Sequence, residues 1–292
     1  METVGVVSPG AMGSAMADAL VRGGARVVAT IDGRSERTAR LAATAPIELL
    51  PDLGAVVREA QVVLSIVPPE AAPAVAADIA RAAKDVCGSE PQSGLPLLAD
   101  LNAIAPATAR GHGDLGLELV DGSISGPPPR KPGTTRVYLS GPRADEIAAL
   151  PFDGVDLIVV GPDVGSASAV KMSTASVYKG TTALLAQALR AAHENGVLEH
   201  VVSDLRAAAP DLIANVERRL GVSATKAHRY IGEMREIAAT QQAAGLTPAL
   251  FEAIAEVYEA IAETPLARGR PEDVPLARPL EATLDDLRAE TG

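Results

Sequence analysis

Seven short apolar runs mark the first half of the chain: Thr3–Val7, Arg26–Thr30, Val62–Val67, Leu97–Leu101, Glu118–Asp121, Val137–Ser140 and Leu157–Val160. Several are nearly continuous in β-branched residues or leucine, the pattern of strands covered on both faces. Between the early runs lie Ala-rich segments, Met12–Arg22, Ser35–Ala45 and Glu70–Val86, whose apolar positions recur at helical spacing. Strand alternating with helix predicts a doubly wound, mainly parallel sheet. Gly88–Pro96 (GSEPQSGLP) reads as a loop between helix and strand.

From Pro162 the texture changes. Val164–Asn195 reads as one long helix ended by Gly196, a residue that readily takes a left-handed C-terminal cap. Helices are expected at Leu198–Ala208, Asp211–Leu220, Ala224–Ala244 and Pro248–Glu263, punctuated by Gly245, Thr247-Pro248 and Pro265. Leu266–Pro279, rich in proline, reads as an irregular arm before a last short helix. The expected organisation is therefore an α/β domain over residues 1–163 and an all-α domain over 164–292, opening with a long interdomain helix. A length of 292 residues accommodates two domains.

Composition adds constraints. Apolar residues make up 47% of the chain but aromatics only 2%, so Ala, Val and Leu must do the packing. The formal charge of −11 disfavours nucleic acid and anionic membranes as partners. A single cysteine, Cys87, excludes an internal disulfide and a Cys-rich metal cluster, and fits a reducing cytoplasm. Strand-like sequence from Thr3 leaves no room for a signal peptide. The most apolar long stretch, Val164–His193, carries Lys171, Lys179 and Arg190 and reads as a buried helix of a soluble protein instead of a membrane span. No His/Asp/Glu spacing suggests a metal site.

The sharpest local signal is Ser8-Pro9-Gly10-Ala11-Met12-Gly13, opening a helix directly after the first strand. Glycine at 10 lets the backbone approach a pyrophosphate, glycine at 13 lets helix and strand pack closely, and the helix N-terminus offers free N–H groups. This is the arrangement of a Rossmann-type dinucleotide site, with Ser8 where the first glycine is usual. After the second strand, Asp32 would favour NAD by binding a ribose hydroxyl, whereas Arg34, Ser35 and Arg37 suit the 2′-phosphate of NADP. The clustering of the last three at a helix start favours NADP over NAD. A tight turn without a ligand, with Ser35 a plain N-cap, is the alternative.

Four segments in order resemble the β-hydroxyacid dehydrogenase superfamily, which includes 6-phosphogluconate and 3-hydroxyisobutyrate dehydrogenases. They are Gly10-Ala-Met-Gly13 followed by Ser-Ala-Met-Ala; Ser65-Ile-Val-Pro68; Asp121-Gly-Ser-Ile-Ser125-Gly126; and Gly165-Ser-Ala-Ser-Ala-Val-Lys171. Together they run from Thr3 to about Ala192. The resemblance implies that Val67 and Pro68 border the nicotinamide, that Ser125 and Gly126 bind substrate, and that Lys171 is the catalytic lysine. Departures mark a divergent branch with a short helical C-terminal domain. Ala167 replaces a glycine, Thr174 and Ala175 replace an Asn pair, Pro127 replaces a second glycine, and Asn102 stands where a hydroxyl residue is usual.

Lys171 lies early on the long helix in a small, apolar stretch, where desolvation is expected to lower its pKa into a range useful for proton transfer. A surface lysine is the plainer alternative. Thr174 and Tyr178 follow on the same helical face, able to bind substrate or orient the lysine. Ser125 and Gly126, with Arg130 and Lys131 nearby, could attract an anionic organic substrate, and Asn102 serves cofactor or substrate. In the helical half, Lys226, Arg229, Tyr230 and Glu233 share one face; Lys226 and His228 are candidate substrate residues, while Arg229 and Glu233 also suit a surface ion-pair ladder. The Ala-rich helices predict a homodimer through the C-terminal half. The leading expectation is an NADP-preferring oxidoreductase acting on a small hydroxy acid or its carbonyl counterpart. An imine reductase of similar fold, or a dinucleotide-binding regulatory protein without turnover, stands beside it.

Overall fold

The computed structural model describes residues 2–87, 95–275 and 277–288, so most of the expected Gly88–Pro96 loop lies outside the described residues. The chain divides into two compact units, Met1–Met172 and Ser173–Gly292.

The first unit is built on eight strands: β1 (Thr3–Val7), β2 (Arg26–Thr30), β3 (Glu48–Leu49), β4 (Val62–Ser65), β5 (Leu97–Asp100), β6 (Leu119–Ser125), β7 (Thr135–Ser140) and β8 (Val155–Gly161). They form one sheet in the order β3-β2-β1-β4-β5-β6-β7-β8. All neighbours run parallel except β6 and β7, which form an antiparallel hairpin. The helices of this unit are α1 (Ala11–Arg22), α2 (Glu36–Ala43), α3 (Leu53–Glu59), α4 (Ala72–Cys87), α5 (Pro106–His112) and α6 (Ala144–Ala148). The first six positions of the sheet follow the dinucleotide-binding order, which reverses between β1 and β4.

Strand periodicity sorts the core onto two faces. Val4, Val6, Leu64 and Ala99 pack with Met16 and Leu20 of α1 and Ile147 of α6. Val7, Val63 and Leu98 turn the other way, onto Val57 of α3 and Val75, Ile79 and Ala83 of α4. Each valine or leucine so covered contributes roughly 1.5–3 kcal/mol. The apolar run Leu157–Val160 departs from the expected burial on both faces: β8 is an edge strand, and Ile158, Val159 and Val160 are partly exposed. The run at Glu118–Asp121 extends further than its apolar content suggests, because Gly122–Ser125 continue it into the hairpin with β7.

Chain order then leads into α7 (Ser166–Glu194), followed by α8 (Leu198–Ala208), α9 (Pro210–Ile213), α10 (Val216–Ala224), α11 (Ala227–Ala243), α12 (Ala249–Ala262) and α13 (Leu280–Asp285). Gly196 adopts φ +69 after α7, the left-handed cap expected of it. Two expectations need correction. The segment Asp211–Leu220 is split into α9 and α10, because Asn215 adopts φ 51 and breaks the helix. The long helix is not covered all round: Val177, Tyr178 and Leu184 are 63%, 71% and 68% exposed. No helix among the described residues is long and apolar enough to cross a membrane.

Candidate functional site

Because β1, β2, β4, β5 and β6 are parallel, their carboxyl ends share one edge of the sheet. Topology alone therefore gathers Ser8–Gly13, the Asp32–Ser35 turn, Val67 and Pro68, Asn102, and Ser125 along that edge. In open α/β sheets this edge, at the point where strand order reverses, is where ligands bind.

The turn after β1 is tight. Ser8 takes a left-handed backbone (φ 67) where glycine is usual, a conformation costing a non-glycine residue about 1 kcal/mol or more. Its carbonyl accepts from the Gly10 N–H at 2.7 Å, and Ser14 Oγ donates to the Pro9 carbonyl at 2.5 Å. A Cβ at Gly13 would stand 2.5 Å from the Ser8 carbonyl oxygen, so the turn admits only glycine there. A Cβ at Gly10 would meet nothing closer than 4.0 Å. Ala11 is exposed, Met12 is half-buried against the core, and no acidic residue or side-chain cap occupies the first turn of α1. The positive end of that helix thus has neither a side-chain cap nor an acidic residue of its own first turn to offset it.

At the end of β2, Asp32 is exposed in a turn closed by the Arg34 N–H on the Ile31 carbonyl. Ser35 caps α2 by accepting from the Thr38 N–H at 3.3 Å. Arg34 is half-buried, and its Nε is buried without a hydrogen-bond partner among the described residues. A buried guanidinium donor left unmet is costly unless an acceptor arrives.

Asn102 is 2% exposed and its amide is engaged within the protein. Its Oδ1 accepts from the Val67 N–H at 2.7 Å and its Nδ2 donates to Ser65 Oγ at 3.0 Å. Its own N–H donates to Asp100 Oδ1 at 3.0 Å. The side chain therefore sets the loop that carries Val67 and exposed Pro68, instead of facing outward. Behind it, buried His112 brings Nδ1 to 2.9 Å from Asp100 Oδ2, outside hydrogen-bond alignment.

A polar clamp that no motif announces lies under Lys171. Asp121, fully buried in β6, accepts from Ser140 Oγ, the Gly165 N–H and the Ser168 N–H at Oδ2, and from Ser168 Oγ at Oδ1, all between 2.6 and 3.0 Å. Two of these donors are backbone groups at the start of α7, so the carboxylate caps the helix that carries Lys171. Ser123 Oγ donates to the Ala167 carbonyl at 2.9 Å, adding a second tie from β6. Burial pushes the Asp121 pKa up from 3.8, with the hydrogen bonds from Ser168, Ser140 and Gly165 pulling the other way. The alternation of Asp121, Ser123 and Ser125 with apolar neighbours was the available signal: three polar side chains inside an otherwise buried strand.

Half-buried Lys171 donates from Nζ to the Ile124 carbonyl at 2.7 Å. That carbonyl immediately precedes half-buried Ser125 and exposed Gly126. Gly126 adopts φ +111 and its missing Cβ would meet the Thr134 carbonyl oxygen at 2.2 Å, so the hairpin corner requires glycine twice over. Arg130 and Lys131 lie exposed on the proline-rich connection to β7. The clamp, Lys171 and Ser125–Gly126 are all organised by one strand.

The second unit holds the remaining candidates. Thr174 is half-buried on α7 and Tyr178 is exposed. His228 is exposed at the start of α11. Lys226, half-buried just before that helix, has its pKa lowered by burial and by Arg229, with Glu233 and Glu272 opposing. The expected Arg229–Glu233 surface ladder is not formed. Glu233 is 5% exposed and pairs with Lys179, whose amine also sits 4.0 Å over the Tyr230 ring. Tyr230 packs edge-on against Tyr258 at 5.3 Å, and Tyr258 donates to the Lys179 carbonyl at 2.8 Å. Burial, reinforced by Glu233 and opposed by Ser223, pushes the Tyr258 phenol up to about 12. The polar cluster of α11 is thus largely a buried tie to α7, although its residues share the face their spacing implied. No group of three or more potential metal ligands occurs among the described residues.

Residues 3–87 match the family model described as "NADP oxidoreductase coenzyme F420-dependent", and residues 192–261 match "Domain of unknown function (DUF1932)". A curated relative from Methanothermus fervidus, described as "Uncharacterized 28.5 kDa protein in 7S RNA 5'region", is 27% identical over 60% of this chain. The matched stretch spans 65% of that relative's length. A conserved protein of unknown function, whose structure is described as similar to 3-hydroxyacid dehydrogenases, is 29% identical with a TM-score of 0.66, covering 89% of this chain and 96% of its own. 3-Hydroxyisobutyrate dehydrogenase from Salmonella typhimurium superposes with a TM-score of 0.63 at 17% identity over 89% and 94% of the two chains. An imine reductase variant from Myxococcus stipitatus in complex with NAD+ gives a TM-score of 0.55 at 19% identity over 97% and 99%. The Myxococcus stipitatus imine reductase in complex with NADP+ gives 0.51 at 19% over 89% and 93%. The resemblance read from the motifs is borne out at the level of fold: the chain joins a segment similar to the NADP-oxidoreductase model to one similar to DUF1932, and its fold is that of 3-hydroxyisobutyrate dehydrogenase and the imine reductases.

Proposed function

We propose that this chain is an NADP-preferring oxidoreductase that passes a hydride between nicotinamide and a small hydroxy acid or its carbonyl counterpart, with Lys171 carrying the proton. The observation that carries the proposal is the Lys171 amine, held 2.7 Å from the Ile124 carbonyl in the strand that ends at Ser125 on the ligand-binding edge of the sheet. Ser8–Gly13 and the uncapped first turn of α1 fit a pyrophosphate. Arg34, with its unmet Nε, and the Ser35 hydroxyl fit a 2′-phosphate and outweigh exposed Asp32. Val67 and Pro68, set by Asn102, would border the nicotinamide.

The bound dinucleotide supplies the hydride; the chain supplies binding, orientation and the proton. Lys171, fixed at its base by the Asp121 clamp and at its tip by the Ile124 carbonyl, gives a proton to the carbonyl oxygen in reduction and takes it from the hydroxyl in oxidation. Ser125 and the Gly126 N–H suit a carboxylate, and Thr174, Tyr178, Lys226 and His228 complete the set of substrate candidates. In this reading residues 1–163 bind cofactor, and 164–292 serve substrate and dimer formation. The exposed Leu184, Leu246 and Leu250 of the helical part support a homodimer.

The imine reductase reading is favoured by fold coverage of 97% and 99% with the Myxococcus stipitatus variant. Nicotinamide absorbance, followed across hydroxy acids, aldehyde acids, keto acids and cyclic imines, separates the two readings. Turnover on an acid, with Arg34→Ala lowering NADPH affinity about tenfold and leaving NADH nearly unchanged, supports the first. Turnover on imines alone moves the protein to the second, and nucleotide binding without turnover on any class contradicts both.

A further inference from the structure

A cavity of about 930 Å³ opens within the second unit, between α7 (Val177–Thr182), the α9–α10 corner (Asp211–Asn215) and Tyr230 of α11. Ligand pockets commonly span roughly 300–1,000 Å³. Its walls are mainly apolar, including Val177, Leu212 and Val222, yet Arg218 and Arg219 of α10 both line it.

The chain carries 37 acidic against 26 basic side chains, so carboxylate partners for a guanidinium are plentiful. Elsewhere, Arg22, Arg26, Arg40, Arg81, Arg143, Arg235, Arg278 and Arg288 each face at least one carboxylate. Arg218 and Arg219 have no ion pair among the described residues. Arg219 spends one Nη on the Leu212 carbonyl, which accepts without neutralising, and its Nε is buried without a hydrogen bond. Lys179, the third cation on the cavity, is already matched by Glu233. Asp211 is exposed at the rim and paired with neither arginine.

The corner is turned by an asparagine, a residue that enters the left-handed region at little cost. Asn215 adopts φ 51, and no side-chain cap closes the start of α10. The break between α9 and α10 turns Arg218 and Arg219 onto the same space as Val177 and Tyr178.

We infer that this cavity is a binding site for an organic anion: a carboxylate or phosphate that pairs with Arg218 and Arg219, attached to an apolar body that covers Val177, Leu212 and Val222. The site is built within one unit; it shares Tyr178 with the substrate candidates, and its test requires binding alone, without turnover. Planar guanidinium forks match carboxylate and phosphate oxygens alike, so the anion class is shared between them.

Calorimetric titration of the full chain, with NADPH present to fill phosphate sites of the sheet edge, tests this. Hexanoate and hexyl phosphate are the probes; hexanol and inorganic phosphate supply the apolar and anionic parts separately. Saturable binding of at least one amphiphilic anion is expected, weakened at least tenfold in Arg219→Met and several-fold in Arg218→Gln. Hexanol and inorganic phosphate should each bind at least tenfold more weakly than the better probe. Stronger binding of hexanoate identifies a carboxylate site, stronger binding of hexyl phosphate a phosphate site. Arg218 is exposed, so Arg218→Gln keeps the test interpretable if Arg219→Met fails to fold. Equal affinity of variants and parent, equal binding of hexanol, or no saturable binding of either amphiphile overturns the inference. So would sedimentation showing that a second copy covers this face, with association lost in Arg218→Gln.

Discussion

The strand-and-helix clamp around Asp121 and the corner around Arg219 treat buried polar groups in opposite ways. Asp121 has four donors within 2.6–3.0 Å and no exposed surface. Arg219 has a single carbonyl acceptor, a buried Nε with no partner, and a cavity beside it. A satisfied buried network fixes one geometry, whereas an unsatisfied one keeps part of its binding capacity for something else. The first is what the proton donor proposed at Lys171 needs underneath it. The second is what a ligand needs in front of it.

The two glycines of the loop after β1 sharpen the same contrast. Gly13→Ala should be the most damaging change in the sheet unit, because its Cβ would overlap the Ser8 carbonyl at 2.5 Å. A loss of about 3 kcal/mol or more is expected from forced backbone movement, with NADPH binding lost in parallel. Gly10→Ala, whose Cβ has open space, should leave the thermal midpoint within a few degrees while still weakening NADPH. Thermal unfolding with nucleotide fluorescence on both variants checks this; equal melting points would remove the packing role assigned to Gly13.

Next in size is Asp121→Ala, expected to cost about 2–4 kcal/mol by leaving buried donors unmet. Asp121→Asn should recover most of that loss. Its amide oxygen can keep the three donors at Oδ2, while its NH2 can donate to Ser168 Oγ in place of accepting. The pH dependence is smaller still. Burial raises the Asp121 pKa above 3.8, so the folded chain holds this proton more tightly than the unfolded chain. The stability tied to that proton is fully present below 3.8 and declines as pH rises through the folded value. Denaturant titrations over that window should show the parent falling relative to Asp121→Asn as pH rises. A parent that gains on the variant would reverse the assigned direction. By comparison, Arg218→Gln in the second unit should change stability by no more than about 0.5 kcal/mol, as for an exposed side chain without partners.

Much of the fold was legible because its signals are local. β1, β2 and α8 fall where periodicity puts them, and Gly196 ends α7 as a left-handed glycine should. The short elements β3, α3, α5 and α6 escaped the pattern, being too brief for either period to stand out. The α9–α10 break escaped as well, since asparagine can turn a chain left-handed without the announcement that glycine or proline gives. At the candidate site, the glycine loop and Lys171 were visible as spacing. Asp121, Ser140 and Ser168 were not, because their partnership joins residues 19 and 47 positions apart. Glu233 taught the same lesson: its helical spacing suggested Arg229, and its partner is Lys179, 54 positions away.

The role of Lys171 is tested most directly by the kinetics of Lys171→Ala and Lys171→Arg on whichever substrate the parent turns over. Lys171→Ala should lower kcat by about 10²–10⁴-fold, the range typical of a lost positioned proton donor. NADPH affinity should stay within about threefold of the parent, because the amine is engaged by the Ile124 carbonyl of β6. Turnover of Lys171→Ala within a few-fold of the parent would contradict the assignment and leave the proton to another group.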